Sequence, residues 1–208
     1  MVPDEIEDYC KGHTSPELSF LAALNRETHL TQVYPRMLSG HMQGTFLRLI
    51  CHMIKPERVL EIGTFTGYSA INLALGSNGI VHSIEVNPEL ELLASKYISE
   101  AGVENSVVLH FGEALKIIPE LDETWDLVFI DADKPNYLNY YKLVFPRVRK
   151  GGWIIADNAL WGGKVTDPGK ADKDTAGIIE YNDFVQRDER VENLLLPFRD
   201  GLMIARKR

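Results

Sequence analysis

From residue 56 onward the chain alternates between two kinds of segment. Short β-rich runs, several of them almost wholly apolar, fall at 58–62, 80–85, 107–111, 127–130 and 153–156. Such near-continuous runs mark strands buried on both faces. Between them, 68–75, 88–101, 114–121 and 137–148 carry apolar residues at helical spacing. Strands alternating with helices predict βαβ units and a mostly parallel sheet covered by helices on both faces. The last third reads as a helix over about 175–187, a strand over 191–196, a turn at Arg199-Asp200-Gly201 and a strand over 202–205. A closing hairpin of this kind puts an antiparallel C-terminal strand at or near one edge. The expectation is therefore an α/β fold, doubly wound, with a mostly parallel seven-stranded sheet.

The N-terminal part reads differently. Ser15-Pro16-Glu17 carries a helix-start signal, a capping hydroxyl, a proline at the first position and an acid in the first turn, followed by Leu18, Leu21, Ala22 and Leu24. A second helix is expected over 41–54, with Phe46, Leu47, Ile50, Met53 and Ile54 as its apolar stripe and Pro56 closing it. Residues 1–55 are thus expected as a helical cover and 56–208 as the core of one domain. The polar stretch 162–174 is the candidate mobile loop.

Composition narrows the function classes. A net charge of −8 argues against a general nucleic-acid coat, which needs a basic face, and leaves a local basic patch open. Cys10 and Cys51 form no CxxC pair and are expected as half-buried thiols. The acidic Met-Val-Pro-Asp-Glu start lacks a basic region and an apolar stretch, and no apolar run approaches the ~20 residues that cross a bilayer. The expected location is cytoplasmic.

Chemistry concentrates at two places. The first is Val59-Leu-Glu-Ile-Gly-Thr-Phe-Thr-Gly-Tyr-Ser69, a buried strand ending in an acid, then a glycine turn, then a helix start. In a doubly wound sheet, ligands sit beyond the carboxyl ends of the strands where the strand order reverses. Glu61, Gly63, Thr64, Gly67 and Ser69 are expected there. The glycines are spaced GxxxG rather than GxGxxG, which suits a ligand with a positive end better than a pyrophosphate. Glu85, closing the next strand, is placed to accept hydrogen bonds from ribose hydroxyls, and Gly112-Glu113-Ala114 to border an adenine. A tight strand–helix turn with no ligand also explains the two glycines.

The second place is Phe129-Ile-Asp131-Ala-Asp133-Lys134 with Ile155-Ala-Asp157-Asn158, each following a predicted strand. If those strands are neighbours, Asp131, Asp157 and Asn158 offer two carboxylates and an amide oxygen. Hard oxygens of this kind suit Mg²⁺, with Mn²⁺ or Ca²⁺ as substitutes. Turn formation and helix capping explain the same residue types. Lys134 reads either as a base or as a surface lysine at a helix start.

Glu61-Ile-Gly-Thr-Phe-Thr-Gly-Tyr-Ser69, together with Asp131-Ala-Asp-Lys134, Asp157-Asn-Ala-Leu-Trp161 and Arg199-Asp-Gly-Leu202, resembles the class I S-adenosylmethionine-dependent methyltransferases. The likeness is closest to their cation-dependent caffeoyl-CoA and catechol O-methyltransferase group, over roughly residues 35–208. The resemblance implies a Rossmann-like sheet, S-adenosylmethionine as methyl donor and a divalent cation held by Asp131, Asp157 and Asn158. It implies that Lys134 takes the acceptor's proton beside Asp131. It also implies that Ser39, Glu61, Gly63, Thr64, Ser69, Glu85, Ala114, Asp131 and Asp133 surround the donor, with Met37 near the methyl group. The acceptor it implies is the hydroxyl of a vicinal dihydroxy aromatic, such as a catechol, a caffeoyl derivative or a flavonoid, and the assembly a homodimer. The chain departs from plant relatives at Gln43, where they carry an acid, and at Gly162, where they carry asparagine, with His41 also unexpected. Two other readings stay open. One is methylation of a tRNA hydroxyuridine, with Lys164, Lys170, Lys173 and the Arg206-Lys-Arg208 end meeting phosphates; the other is a catalytically silent cofactor-binding module.

Overall fold

The computed structural model describes residues 3–208. Its elements run α1 (Asp4–Gly12), α2 (Ser19–Thr31), α3 (Gly40–Ile54), β1 (Arg58–Ile62), α4 (Tyr68–Gly76), β2 (Ile80–Glu85), α5 (Glu91–Glu100) and β3 (Val107–Phe111). They continue with α6 (Ala114–Glu120), β4 (Trp125–Ile130), α7 (Tyr137–Val144), β5 (Val148–Ala156), α8 (Lys173–Arg187), β6 (Val191–Leu196) and β7 (Leu202–Lys207). The strands form one seven-stranded sheet in the order β3-β2-β1-β4-β5-β7-β6. β2 pairs with β3 and β4 with β5 in parallel, whereas β7 runs antiparallel to both β5 and β6. This is the expected sheet, with β7 of the C-terminal hairpin as its antiparallel strand, set between β5 and β6, and β6 running in the same sense as β5.

The chain divides into two compact units. Leu60–Gly63 with Glu113–Arg208 make one, and residues up to Val59 with Thr64–Gly112 make the other. In the first unit, Leu127, Val128, Phe129 and Ile130 of β4 are all fully buried, as a strand covered on both faces requires. Tyr137, Tyr141 and Tyr181 stack edge to face between α7 and α8. In the second unit, α4 buries residues on every side, from Tyr68 and Ala70 to Ile71 and Leu73, and so is a core helix rather than an amphipathic one.

Several boundaries differ from the sequence expectation, each for a local reason. Trp125 pairs with Val148 across the β4–β5 ladder. That contact draws Val148 into the strand, so α7 ends at Val144 and not at 148. The helix expected over 88–101 is a 3-10 turn, Pro88–Leu90, followed by α5; the Asn87 side chain accepts from the Glu89 amide at 3.0 Å to start the turn. Helix α2 begins at Ser19 with no side-chain cap. The acid of the expected start signal, Glu17, instead accepts a 2.5 Å hydrogen bond from the Tyr68 hydroxyl. On α3 the buried face is Gln43, Gly44, Thr45, Leu47 and Cys51, while Met53 is 77% exposed and does not belong to the stripe. Neither cysteine is half-buried: Cys10 is exposed and Cys51 buried, and burial pushes the Cys51 thiol up to about 11. Helix α1 had no counterpart among the expected elements.

Two further segments take definite form. The stretch 162–174 contains the 3-10 turns Trp161–Thr166 and Pro168–Lys170 and the start of α8, where Asp172 accepts from the Thr175 amide at 2.8 Å. Arg206 and Lys207 of the basic C-terminal end belong to strand β7. Lys207 Nζ donates to the carbonyls of Phe145 at 2.9 Å and Val148 at 2.7 Å, and Arg206 lies over the Trp153 ring. Among the described residues no helix is long and apolar enough to cross a membrane.

Candidate active site

The strand order reverses between β1 and β4, which makes their carboxyl ends the crevice of the sheet. The two strands remain joined to the very edge of that crevice, since the Asp131 amide donates to the Ile62 carbonyl at 2.8 Å. Gly63 follows immediately, at φ +102°, and a Cβ there would stand 2.0 Å from the Asp131 carbonyl oxygen. Only glycine permits both that backbone angle and that approach. Gly63 thus serves to bring the chain after β1 against the chain after β4. Glu61, inside β1, is fully buried.

One register step further, Ile130 pairs with Ala156, so Asp131 and Asp157 leave neighbouring parallel strands side by side. The Asp157 amide donates to the Ile130 carbonyl at 2.9 Å, which locks the two strand ends in step. Lys134 is only 8% exposed, which rules out the surface-lysine reading. Its ammonium donates to Asp131 Oδ1 at 3.2 Å and to the Tyr137 hydroxyl at 2.7 Å. It also lies over the Tyr137 ring at 4.8 Å and the Trp161 ring at 5.6 Å. Burial, reinforced by the charges of Asp131 and Asp157, holds the Tyr137 hydroxyl well above the usual phenol range, so it stays neutral. No motif of the sequence singles out Tyr137 as a partner of Lys134. The one signal is spacing: Lys134 and Tyr137 are three apart, on one side of a helical turn.

Asn158 adopts φ +54°, a left-handed position that asparagine tolerates better than most residues. Its amide N–H donates to Asp157 Oδ1 at 2.7 Å, and its side-chain Nδ2 donates to Asp200 at 3.2 Å. Asp133 stands at the start of the Lys134–Asn136 turn, exposed, with Asn136 donating to Oδ2 at 2.5 Å and the Tyr140 hydroxyl to Oδ1.

The other unit carries a second cluster. Glu85 closes β2 at 8% exposure and accepts from two backbone amides, Phe65 at 2.7 Å and Asn87 at 2.9 Å. Phe65 sits at φ +49°. Thr64 hydrogen-bonds the Ser83 hydroxyl at 2.5 Å, and its amide donates to Ile84. Ser69 is buried in the first turn of α4, and Ser39 is buried immediately before α3. Met37 is 60% exposed on the 3-10 turn Pro35–Met37. Ala114, buried, opens α6 in the first unit.

Among the described residues no group of three or more His, Cys, Asp or Glu side chains is placed to hold a metal ion. The expected set is of another kind, two carboxylates and an amide oxygen. Because the Asn158 NH₂ is turned to Asp200, its oxygen is turned the other way. The donor chemistry of Asp131, Asp157 and Asn158 fits a hard divalent cation.

A mostly parallel sheet whose strand order reverses between β1 and β4 defines a Rossmann-like fold class. Comparison with known proteins sharpens the class: the O-methyltransferase family model matches residues 11–208, and the chain belongs to that family. Caffeoyl-CoA O-methyltransferase 1 of Eucalyptus globulus is 36% identical over 186 residues, covering 82% of this chain and 75% of the relative. Among solved structures, the O-methyltransferase TomG of Streptomyces achromogenes, involved in tomaymycin synthesis and bound to S-adenosylmethionine, superposes with a TM-score of 0.91. It shares 29% identity and covers 98% of this chain and 96% of its own. The Bacillus cereus O-methyltransferase bound to S-adenosylhomocysteine gives a TM-score of 0.92 at 28% identity, over 98% of this chain and 97% of that one. The protein is an S-adenosylmethionine-dependent O-methyltransferase of the caffeoyl-CoA type.

Proposed function

We propose that this O-methyltransferase is cation-dependent and methylates one hydroxyl of a vicinal dihydroxy aromatic, such as a catechol, a caffeoyl derivative or a flavonoid. The observation that carries the reading is the buried Lys134 ammonium beside Asp131, with Asp157 and Asn158 on the adjacent strand end. Asp131, Asp157 and Asn158 would hold the cation. When bound, a divalent cation supplies Lewis acidity to two neighbouring phenolic oxygens and orients them. The donor carries a methyl group on a sulfonium that leaves as a neutral thioether, so the demanding part of the reaction is the acceptor, whose phenol pKa is near ~10.

Lys134 is the group that would take the phenolic proton, at Nζ, as the free amine, its ammonium having first given one proton to solvent. Asp131 and the neutral Tyr137 hydroxyl fix that atom from two sides, so it meets the acceptor in one position. The Trp161 indole beside it offers a flat wall for an aromatic ring. For the donor, Glu85 offers its carboxylate to the ribose hydroxyls and keeps its own position through the Phe65 and Asn87 amides. Glu61, Gly63, Thr64, Ser69, Ser39, Ala114 and Asp133 would complete the surroundings of the donor.

Of the basic residues in the nucleic-acid alternative, Lys207 is spent on backbone carbonyls, while Lys164 and Lys170 are exposed and form surface pairs with Asp172 and Asp167 at 3.1 Å. The test is a methyl-transfer screen over catechols, flavonoids and unmodified tRNA, with Mg²⁺ and with EDTA. The expected result is methylation of vicinal diols that stops in EDTA and resumes on adding Mg²⁺. Undiminished turnover in EDTA removes the cation from the reading, and methylation of tRNA alone replaces the acceptor.

A further inference from the structure

We propose that Asp200 is a positioning residue that fixes which end of the Asn158 amide faces the cation site; this inference rests on the cation-dependent reading above. The argument begins with how firmly Asp200 is itself held. It lies between Arg199 at φ +52° and Gly201 at φ +88°, both left-handed. A Cβ at Gly201 would stand 2.5 Å from Leu160 Cγ and 2.8 Å from the Leu160 nitrogen, so the turn before β7 packs directly on the loop after β5. Two backbone hydrogen bonds lace them together, Ala159 N–H to the Gly201 carbonyl and Leu160 N–H to the Asp200 carbonyl, each at 2.9 Å. The carboxylate adds two more, accepting from the Gly162 amide at 2.5 Å through Oδ1 and from Asn158 Nδ2 at 3.2 Å through Oδ2.

A primary amide has two ends of nearly equal size and opposite polarity, and rotation about its last torsion is soft. Left alone, Asn158 would present its oxygen or its NH₂ to the neighbouring strand end with similar ease. An ionised carboxylate only accepts hydrogen bonds. Beside Asp200 the amide must therefore turn its NH₂ to the carboxylate and its oxygen away. The turned-over amide would set an oxygen against a carboxylate and an NH₂ where a cation needs a donor atom. Asp200 thereby converts an ambivalent side chain into a defined oxygen ligand without touching the cation itself, which is how outer partners of metal ligands act in general.

The inference predicts the effect of a polarity swap. Asp200→Asn preserves shape and the acceptor for the Gly162 amide but turns an NH₂ toward Asn158, which then flips to accept from it. In the full chain saturated with S-adenosylhomocysteine, titration calorimetry with Mn²⁺ is expected to give an affinity about 10–100-fold weaker than wild type. S-adenosylhomocysteine affinity and the cation-free melting temperature stay close to wild type. The double variant Asn158→Asp with Asp200→Asn restores the pairing in reverse, because a carboxylate at 158 accepts from the new NH₂ and keeps an oxygen for the cation. Its Mn²⁺ affinity is expected to return to at least the wild-type level. Unchanged Mn²⁺ affinity in Asp200→Asn overturns the positioning role while leaving the cation reading standing. A loss that the double variant does not repair, or one matched by a fall in the cation-free melting temperature, makes Asp200 a loop brace only and also overturns the proposal. A wild-type chain that binds no Mn²⁺ overturns the cation reading and this inference with it.

Discussion

Two acids close two strands of the same sheet, and they are held in opposite ways. Glu85, at the end of β2, is gripped by backbone: the amides of Phe65 and Asn87 donate to its two oxygens. Asp131, at the end of β4, is met by a side chain, the Lys134 ammonium, which is shared with Tyr137. Backbone amides cannot leave without unmaking a turn, so Glu85 is a fixed acceptor whatever binds beside it. The Asp131 cluster instead ends in an ionisable nitrogen held between two side chains, so it can pass a proton without unmaking a turn. The first arrangement suits a group that must only recognise, and the second suits one that must move a proton.

The largest expected effect breaks the second region alone. Asp157→Ala removes a carboxylate that stands in register with Asp131. We expect methyl transfer to fall below detection at any Mg²⁺ concentration, while S-adenosylhomocysteine binding by calorimetry is little changed. Retained turnover would mean that the β4–β5 strand ends are not where the acceptor is activated.

Next comes a change that strikes the backbone beneath Asp131. Gly63→Ala would place a Cβ 2.0 Å from the Asp131 carbonyl oxygen at a φ of +102°. Backbone strain of ~1–3 kcal/mol and overpacking of ~1–3 kcal/mol together predict a loss of about 2–6 kcal/mol in urea unfolding. That is a large share of the ~5–15 kcal/mol typical of a folded domain. A wild-type midpoint would show that the close approach between the two strand ends relaxes at little cost.

Glu85→Gln tests the first region. Glutamine has one oxygen for two amides, so one part-buried N–H loses its acceptor and faces an NH₂ instead. The expected cost is about 1–3 kcal/mol of stability, with weaker S-adenosylhomocysteine binding and a kcat at saturating donor that stays near wild type. A variant that lowers kcat and leaves donor affinity intact would reverse the roles assigned to the two acids.

What was legible in the sequence follows the same division. The strands of the sheet were legible because burial on both faces writes a continuous apolar run, as in Leu127 to Ile130. The positions of Asp131, Asp157 and Glu85 followed from the strand ends. Less was visible wherever a residue's partner lies far along the chain. Glu17 carries a helix-start signal yet serves the Tyr68 hydroxyl, 51 residues away, and the helix begins later. Val148 reads as the last turn of a helix but is claimed by Trp125. The burial of Lys134 had no local signature either, since a lysine beside a proline at a turn is ordinarily solvated. Asp200 stood in a recognisable turn, but its tie to Asn158, 42 residues before it, needed the fold.

The smallest expected effect is also the finest probe of the comparison. Tyr137→Phe keeps the buried ring that packs edge-on against Tyr181 and removes only the hydroxyl that accepts from Lys134. The ammonium then has Asp131 as its one remaining anchor of the two, and its position above the Tyr137 ring is held less tightly. We expect kcat to fall about tenfold, equivalent to ~1.4 kcal/mol. Donor affinity should not change, because the Tyr137 hydroxyl holds Lys134, the group proposed to act on the acceptor. The effect should also vanish in a Lys134→Met background, where the hydroxyl has no ammonium to hold. If Tyr137→Phe costs as much with methionine at 134 as with lysine, the hydroxyl serves the core and Lys134 is positioned by Asp131 alone.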